Sequence, residues 1–202
     1  MDTTLSDLFF DDQTECWPYR DAWWAILIHD GGRDLIIGLA LSSLAGWILS
    51  KFAGLAPRWR RRFLYMFLCI GGTTGSVMLL KKVIHRHSPW NHSRYGGMVQ
   101  DPTTFFPLFS LDGHEPSFPA GHAAGGFSLM GLFFVVPESN PRLKRLGLAI
   151  GLAVGTIFGL TQIVRGAHFL SHNPWSALIA WLMADSIYSF FGRTLELDSA
   201  RG

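Results

Sequence analysis

Residues 146–172 read LGLAIGLAVGTIFGLTQIVRGAHFLSH. The stretch 146–164 carries no charged side chain and has the length a helix needs to cross the hydrocarbon core of a bilayer, about 17 to 25 residues. Gly147, Gly151, Gly155 and Gly159 recur at every fourth position within it, which makes one smooth helix face for close packing. At Arg165 the run gives way to a polar turn that holds His168 and His172. The expected fold class follows: an all-α, polytopic membrane helix bundle with its polar chemistry at the helix ends.

The rest of the chain agrees with that class. Of its 202 residues 49% are hydrophobic and only 16% charged, against about 25% charged in an ordinary soluble domain. Mean hydropathy is +0.23. Further apolar runs cover 35–52, 63–80, 120–136 and 174–191, the last with a single acid, Asp185, so about five spans are expected. Ahead of them Trp17, Tyr19, Trp23 and Trp24 alternate with Arg20 and Asp21 and lead into a short apolar stretch. That pattern predicts an interfacial amphipathic helix. One domain, 1–202, is expected, with an external N-terminal segment at 1–33 and an external loop at 81–119.

Arg58, Arg60, Arg61 and Arg62 follow the first run, and Arg142, Lys144 and Arg145 follow the third. Both clusters fall on one side of the membrane, which the positive-inside rule makes cytoplasmic, with the N-terminus outside and the C-terminus inside. Neither cluster has the look of a nucleic-acid surface. Cys16 and Cys69 stand far apart and give no disulfide framework, and no basic region followed by an apolar core marks a signal peptide.

Seven of the eight histidines lie between His85 and His172, in or beside the segments assigned to the external face. The loop 81–119 is punctuated by Ser88-Pro89, Gly96-Gly97, Asp101-Pro102 and Glu115-Pro116, turn signals that leave little regular structure. A loop of that length is usually functional. If the second span continues through it, Lys81, His85 and Ser88 share a helix face and Pro89 ends the helix. Basic groups there either bind a phosphate or snorkel to headgroups. In Pro119-Ala120-Gly121-His122, Gly121 lets backbone amides approach an anion at a helix start, although a simple interfacial cap has the same composition. His168 and His172, four apart, fit a zinc pair, but a third protein ligand is wanting and the Glu of His-Glu-x-x-His is absent.

Taken together, the three segments resemble the tripartite signature of the type 2 phosphatidic acid phosphatase (PAP2) superfamily: Lys-x6-Arg-Pro, Pro-Ser-Gly-His and Ser-Arg-x5-His-x3-Asp. Lys81 and Ser88-Pro89 match the first, Pro119 to His122 the second, and Thr161-Gln162, His168 and His172 the third. The chain departs at four places: Ser88 for Arg, Ala120 for Ser, Gln162 for Arg and His172 for Asp. Arg165, one turn beyond Gln162, is a candidate replacement cation, with Arg86 and Arg94 as others and Ser117 near Ala120.

The resemblance implies a metal-independent phosphatase without a cofactor. His168 would attack phosphorus, His122 would serve as acid and base, and His172 would orient His168. Lys81, Arg165, Gly121, Ser88 and Arg86 would hold the phosphate. The implied substrate is a phosphorylated or pyrophosphorylated lipid, of the polyprenyl pyrophosphate, phosphatidyl phosphate or lipid A type, met at the outer face of a bacterial cytoplasmic membrane. No nucleic acid is expected as a partner. Two other readings stand beside it: a lapsed enzyme that binds anionic headgroups, and a metal-dependent membrane hydrolase.

Overall fold

Proline opens two of the long helices, and asparagine caps one of them. In the computed structural model, which describes residues 2–84, 86–100 and 116–196, six helices form. They are α1 (Asp2–Ser6), α2 (Trp23–Leu49), α3 (Pro57–Val83), α4 (Gly121–Val135), α5 (Pro141–Val164) and α6 (His172–Glu196). Pro57 and Pro141 occupy the first helical turn, where the missing N–H costs nothing. The Asn140 side chain caps α5 by accepting from the Leu143 amide at 3.2 Å. Among the described residues there is no strand, only the isolated bridges Asp11–Cys16 and His92–Val99.

Three of the helices, α2, α3 and α5, are long and apolar enough to cross a membrane, while α4 is a shorter apolar helix. The first of them differs from expectation in its start. It begins at Trp23, so the stretch expected to lie apart at the interface is continuous with the first span. The continuity runs through a single π-helical turn, Leu27–Gly31, and past Gly32, whose missing side chain admits Phe158 of α5: a Cβ there would stand 2.7 Å from the Phe158 ring. Leu35, Leu41, Ile157, Leu160 and Leu182 face outward, as side chains do when lipid is the solvent.

The glycine face of α5 packs on α4. Gly147, Gly151, Gly155 and Gly159 are all buried, and a Cβ on Gly126 of α4 would come 2.6 Å from the Gly155 Cα. A methyl group on Gly155 would drive into the Phe127 ring. Gly155→Ala is therefore expected to destabilise the bundle by about 1–3 kcal/mol, whereas Gly38→Ala, with nothing within 4 Å of its added carbon, should be neutral or mildly stabilising. Thermal unfolding in detergent micelles compares the two, and equal midpoints would contradict this packing.

The helix directions decide where the polar residues gather. Helices α3 and α5 carry the arginine-rich segments in their first turns and Lys81 and Gln162 in their last, and α4 and α6 start at Gly121 and His172. The Ser176 hydroxyl lies 3.0 Å from both the His172 and Ala120 carbonyls, joining the first turns of α6 and α4.

Candidate active site

Lys81 in the last turn of α3 and Gly121 in the first turn of α4 are direct neighbours: a Cβ on Gly121 would stand 3.8 Å from the Lys81 Nζ. The ammonium thus sits beside the free amides of a helix start, an arrangement that favours an anion. His122 follows, and its Nε2 is buried without a hydrogen-bond partner among the described residues.

The α5–α6 turn holds the other two histidines. His168 Nδ1 lies 3.2 Å from His172 Nδ1, so one ring donates to the other. When His168 is the donor, its Nε2 keeps the lone pair a nucleophile needs. Both rings are buried, His168 at 6% exposure and His172 at 0%. Burial, reinforced by nearby His172 and Lys81, holds the His168 imidazole well below its usual pKa, which keeps it neutral. Edge contacts from Phe118 and Phe169, with centroids 5.1 and 5.8 Å away, pin the His172 ring.

The remaining expected residues are distributed unevenly. Arg165 closes α5 and donates from Nε to the Arg20 carbonyl at 2.9 Å, while its Nη1 is buried without an acceptor among the described residues. The helix expected to carry Lys81, His85 and Ser88 together stops at Val83; Ile84 is already extended, at φ −106° and ψ 99°. His85 lies outside the described residues. Ser88 is extended and buried ahead of the turn Pro89–Asn91, so it does not share a helix face with Lys81. The reason is a contact: the Arg86 carbonyl accepts from the Ser117 amide at 2.6 Å and hydroxyl at 3.0 Å, which draws this segment against residue 117 instead of into a helix. That contact also commits Ser117 and removes it as a stand-in for the hydroxyl absent at Ala120. Arg94 is committed as well, in a two-pronged pair with Asp7 at 2.9 and 2.8 Å that holds the Asp7 carboxyl below the usual carboxylate range.

Two features escaped the sequence. His29, on the π turn of α2, stacks flat on His122, with centroids 3.9 Å apart and planes at 25°. Its Nδ1 lies 2.9 Å from the Gln162 Nε2. The available signal was the ionisable group His29, Asp30, Arg33 and Asp34 within a helix of membrane-spanning length, where ionisable residues mark a functional position by default. The second feature is the N-terminal segment, which clamps the histidine turn from outside. Asp2 accepts from the Ser171 amide at 2.9 Å and hydroxyl at 2.6 Å. Trp17 covers Gly166, where φ is +75°, and clusters with Tyr95 and Phe169.

A cavity of about 450 Å³ lies between α2 and α3. Its walls are apolar, from Ile36, Ile37 and Ala40 on one side and Ile70 and Val77 on the other, and Lys81, Gly121 and His122 also line it. Among the described residues, no three His, Cys, Asp or Glu side chains converge as a metal-ligand set.

A model of the PAP2 superfamily matches residues 62–195. No curated protein and no solved structure matches the chain.

Proposed function

Because the chain belongs to the PAP2 superfamily, whose members are phosphatases, we propose that it hydrolyses the phosphate or pyrophosphate ester of a membrane lipid through a phosphohistidine. The observation that carries this reading is the apolar cavity whose lining includes Lys81, Gly121 and His122. An acyl or prenyl chain suits its walls, and a phosphate suits the ammonium and helix start.

In this mechanism His168 Nε2 attacks phosphorus, and the bond from phosphorus to the lipid oxygen breaks while His122 delivers a proton to that oxygen. A water then attacks the phosphohistidine, His122 takes the water's proton, and phosphate and His168 are released. Lys81, Arg165 and the amides at Gly121 stabilise charge on the equatorial oxygens. Arg86 is the further cation this reading assigns to the phosphate. A pyrophosphate, with the better leaving group, is the substrate type best suited to a site that lacks the cations replaced by Ser88 and Gln162. The arginine-rich ends of α3 and α5 support a cytoplasmic location for that end, and so an external site in a bacterial cytoplasmic membrane.

The test is phosphate release by purified protein from long-chain lipid phosphates and pyrophosphates, with a short-chain ester for comparison. Long-chain substrates are expected to be preferred by at least about 100-fold, given about 0.8 kcal/mol per buried methylene. Ala40→Phe, which fills the cavity, should reduce long-chain turnover and spare the short-chain ester. Equal rates on both esters would refute a lipid substrate. Loss of release on chelation would point to a metal-dependent hydrolase, and lipid binding without release to a headgroup-binding protein.

A further inference from the structure

Gln162 is the residue through which this site departs most from a cation-lined pocket, and its amide is directed at a histidine from another helix. A neutral amide offers little to a phosphate dianion. Its Nε2 lies 2.9 Å from His29 Nδ1, and with the amide nitrogen as donor the imidazole carries its own proton on Nε2. Gln162 thereby selects the tautomer whose remaining nitrogen is a hydrogen-bond donor.

The ring is placed with equal care. The π turn Leu27–Gly31 inserts an extra residue into one turn of α2, a device common at functional positions, and it lays His29 on His122 at 3.9 Å between centroids. Ring contact alone would be served by a phenylalanine, which needs no glutamine partner. Lys81 and Arg165 bring positive charge to His122, and Arg165, Asp30 and Arg33 are the charged neighbours of His29. The His29 ring is thus the stacked neighbour of the ring whose Nε2 is buried without a partner among the described residues.

We propose that His29 is a phosphate ligand of this site, donating from Nε2 to an oxygen of the phosphoryl group that His122 faces, and that Gln162 holds it in the donating tautomer. The inference rests on the reading of His122 and Lys81 as a phosphate site. It supplies from α2 the contact that position 162 does not make from α5.

Inorganic phosphate binding to the purified protein, followed by titration calorimetry in detergent, tests this without requiring turnover. His29→Phe keeps the stacked ring and removes the donor, so its affinity should fall about 10- to 100-fold, the range for a hydrogen bond to a charged acceptor. His29→Gln, with an amide nitrogen near the position of Nε2, should remain within about threefold of the original protein, the residual of a donor kept in place. Gln162→Leu should lose affinity about 3- to 10-fold, because the tautomer is no longer selected. Unfolding midpoints identify folded variants, and if His29→Phe does not fold, the other two carry the test. Unchanged affinity in His29→Phe, equal losses in His29→Phe and His29→Gln, or no phosphate binding by the original protein would each overturn the inference. Phosphate binding through His29 without release from any lipid phosphate leaves the inference standing and removes the phosphatase reading; release with binding indifferent to His29 does the reverse.

Discussion

Replacing His168 with alanine is expected to lower phosphate release by a factor on the order of 10⁴ or more, the scale seen when a covalent nucleophile is deleted. The substitution removes the proposed attacking atom and leaves the proposed phosphate-binding groups, Lys81 beside Gly121 and the His122 ring, in place. Its folding cost should be modest, about 1–3 kcal/mol, because the buried His172 Nδ1 then loses the partner it has at 3.2 Å. Protein mixed with a labelled lipid phosphate and quenched in alkaline detergent should retain label in the original protein, releasing it on acidification as a phosphohistidine does, and none in His168→Ala. Retention of more than a tenth of the rate by the variant would exclude His168 as the nucleophile.

The second large effect concerns its partner. His172→Phe should lower kcat by about 10² to 10⁴ with a small change in KM, the range for loss of the residue that orients a catalytic imidazole. The substitution leaves the phosphate contacts intact and removes the acceptor for His168 Nδ1–H. His172→Asp should retain activity, since a carboxylate accepts the same hydrogen bond and supports developing positive charge better than a neutral ring. A His172→Asp protein as inactive as His172→Phe would remove the orienting role.

The same pair sets the response to acid. His168 is held neutral well below its ordinary pKa of 6.5, first by burial and then by His172 and Lys81. A proton on His172 Nδ1 removes the acceptor for His168 Nδ1–H, and one on His168 Nε2 blocks the attacking lone pair. Activity should therefore persist as pH falls through the usual histidine range and be lost below it. Stability moves with the same sign. Below pH 6.5 the unfolded chain binds a proton that the folded chain refuses, so this contribution is present above 6.5 and is lost as pH falls toward the lowered pKa. Kinetics and unfolding midpoints between pH 4 and 8 measure both, and acid-independent stability over that range would contradict the burial of a neutral His168.

Much of the candidate site was legible because it lies at helix ends and on short spacings. His168 and His172 are separated by a turn whose closure is local, the His172 amide donating to the Phe169 carbonyl at 3.1 Å. Lys81 and Gly121 each sit within a turn of a helix terminus, so hydropathy that locates the helices also locates these residues. Ser88 was misread because helical spacing was extended past the true end of α3. That end depends on Ser117 capturing the Arg86 carbonyl from a segment thirty-one positions away. Arg94 and Ser117 looked available because their partners, Asp7 and Arg86, meet them only through the fold. His29 was missed for the same reason: it is 133 positions from Gln162.

By itself, the amino-acid sequence determined the class of fold, the order of the helices, the glycine face of α5 and the register of Lys81, Gly121, His122, His168 and His172. These depend on composition, on the helical repeat and on separations of a few residues, all of which are written locally. The tertiary structure alone decided that Arg94 and Ser117 are committed elsewhere, that the N-terminal segment clamps the histidine turn, and that α2 brings His29 onto His122. Those outcomes follow from where helices cross, and crossings are set by contacts such as Gly32 against Phe158, whose partners are remote along the chain and carry no local pattern that links them.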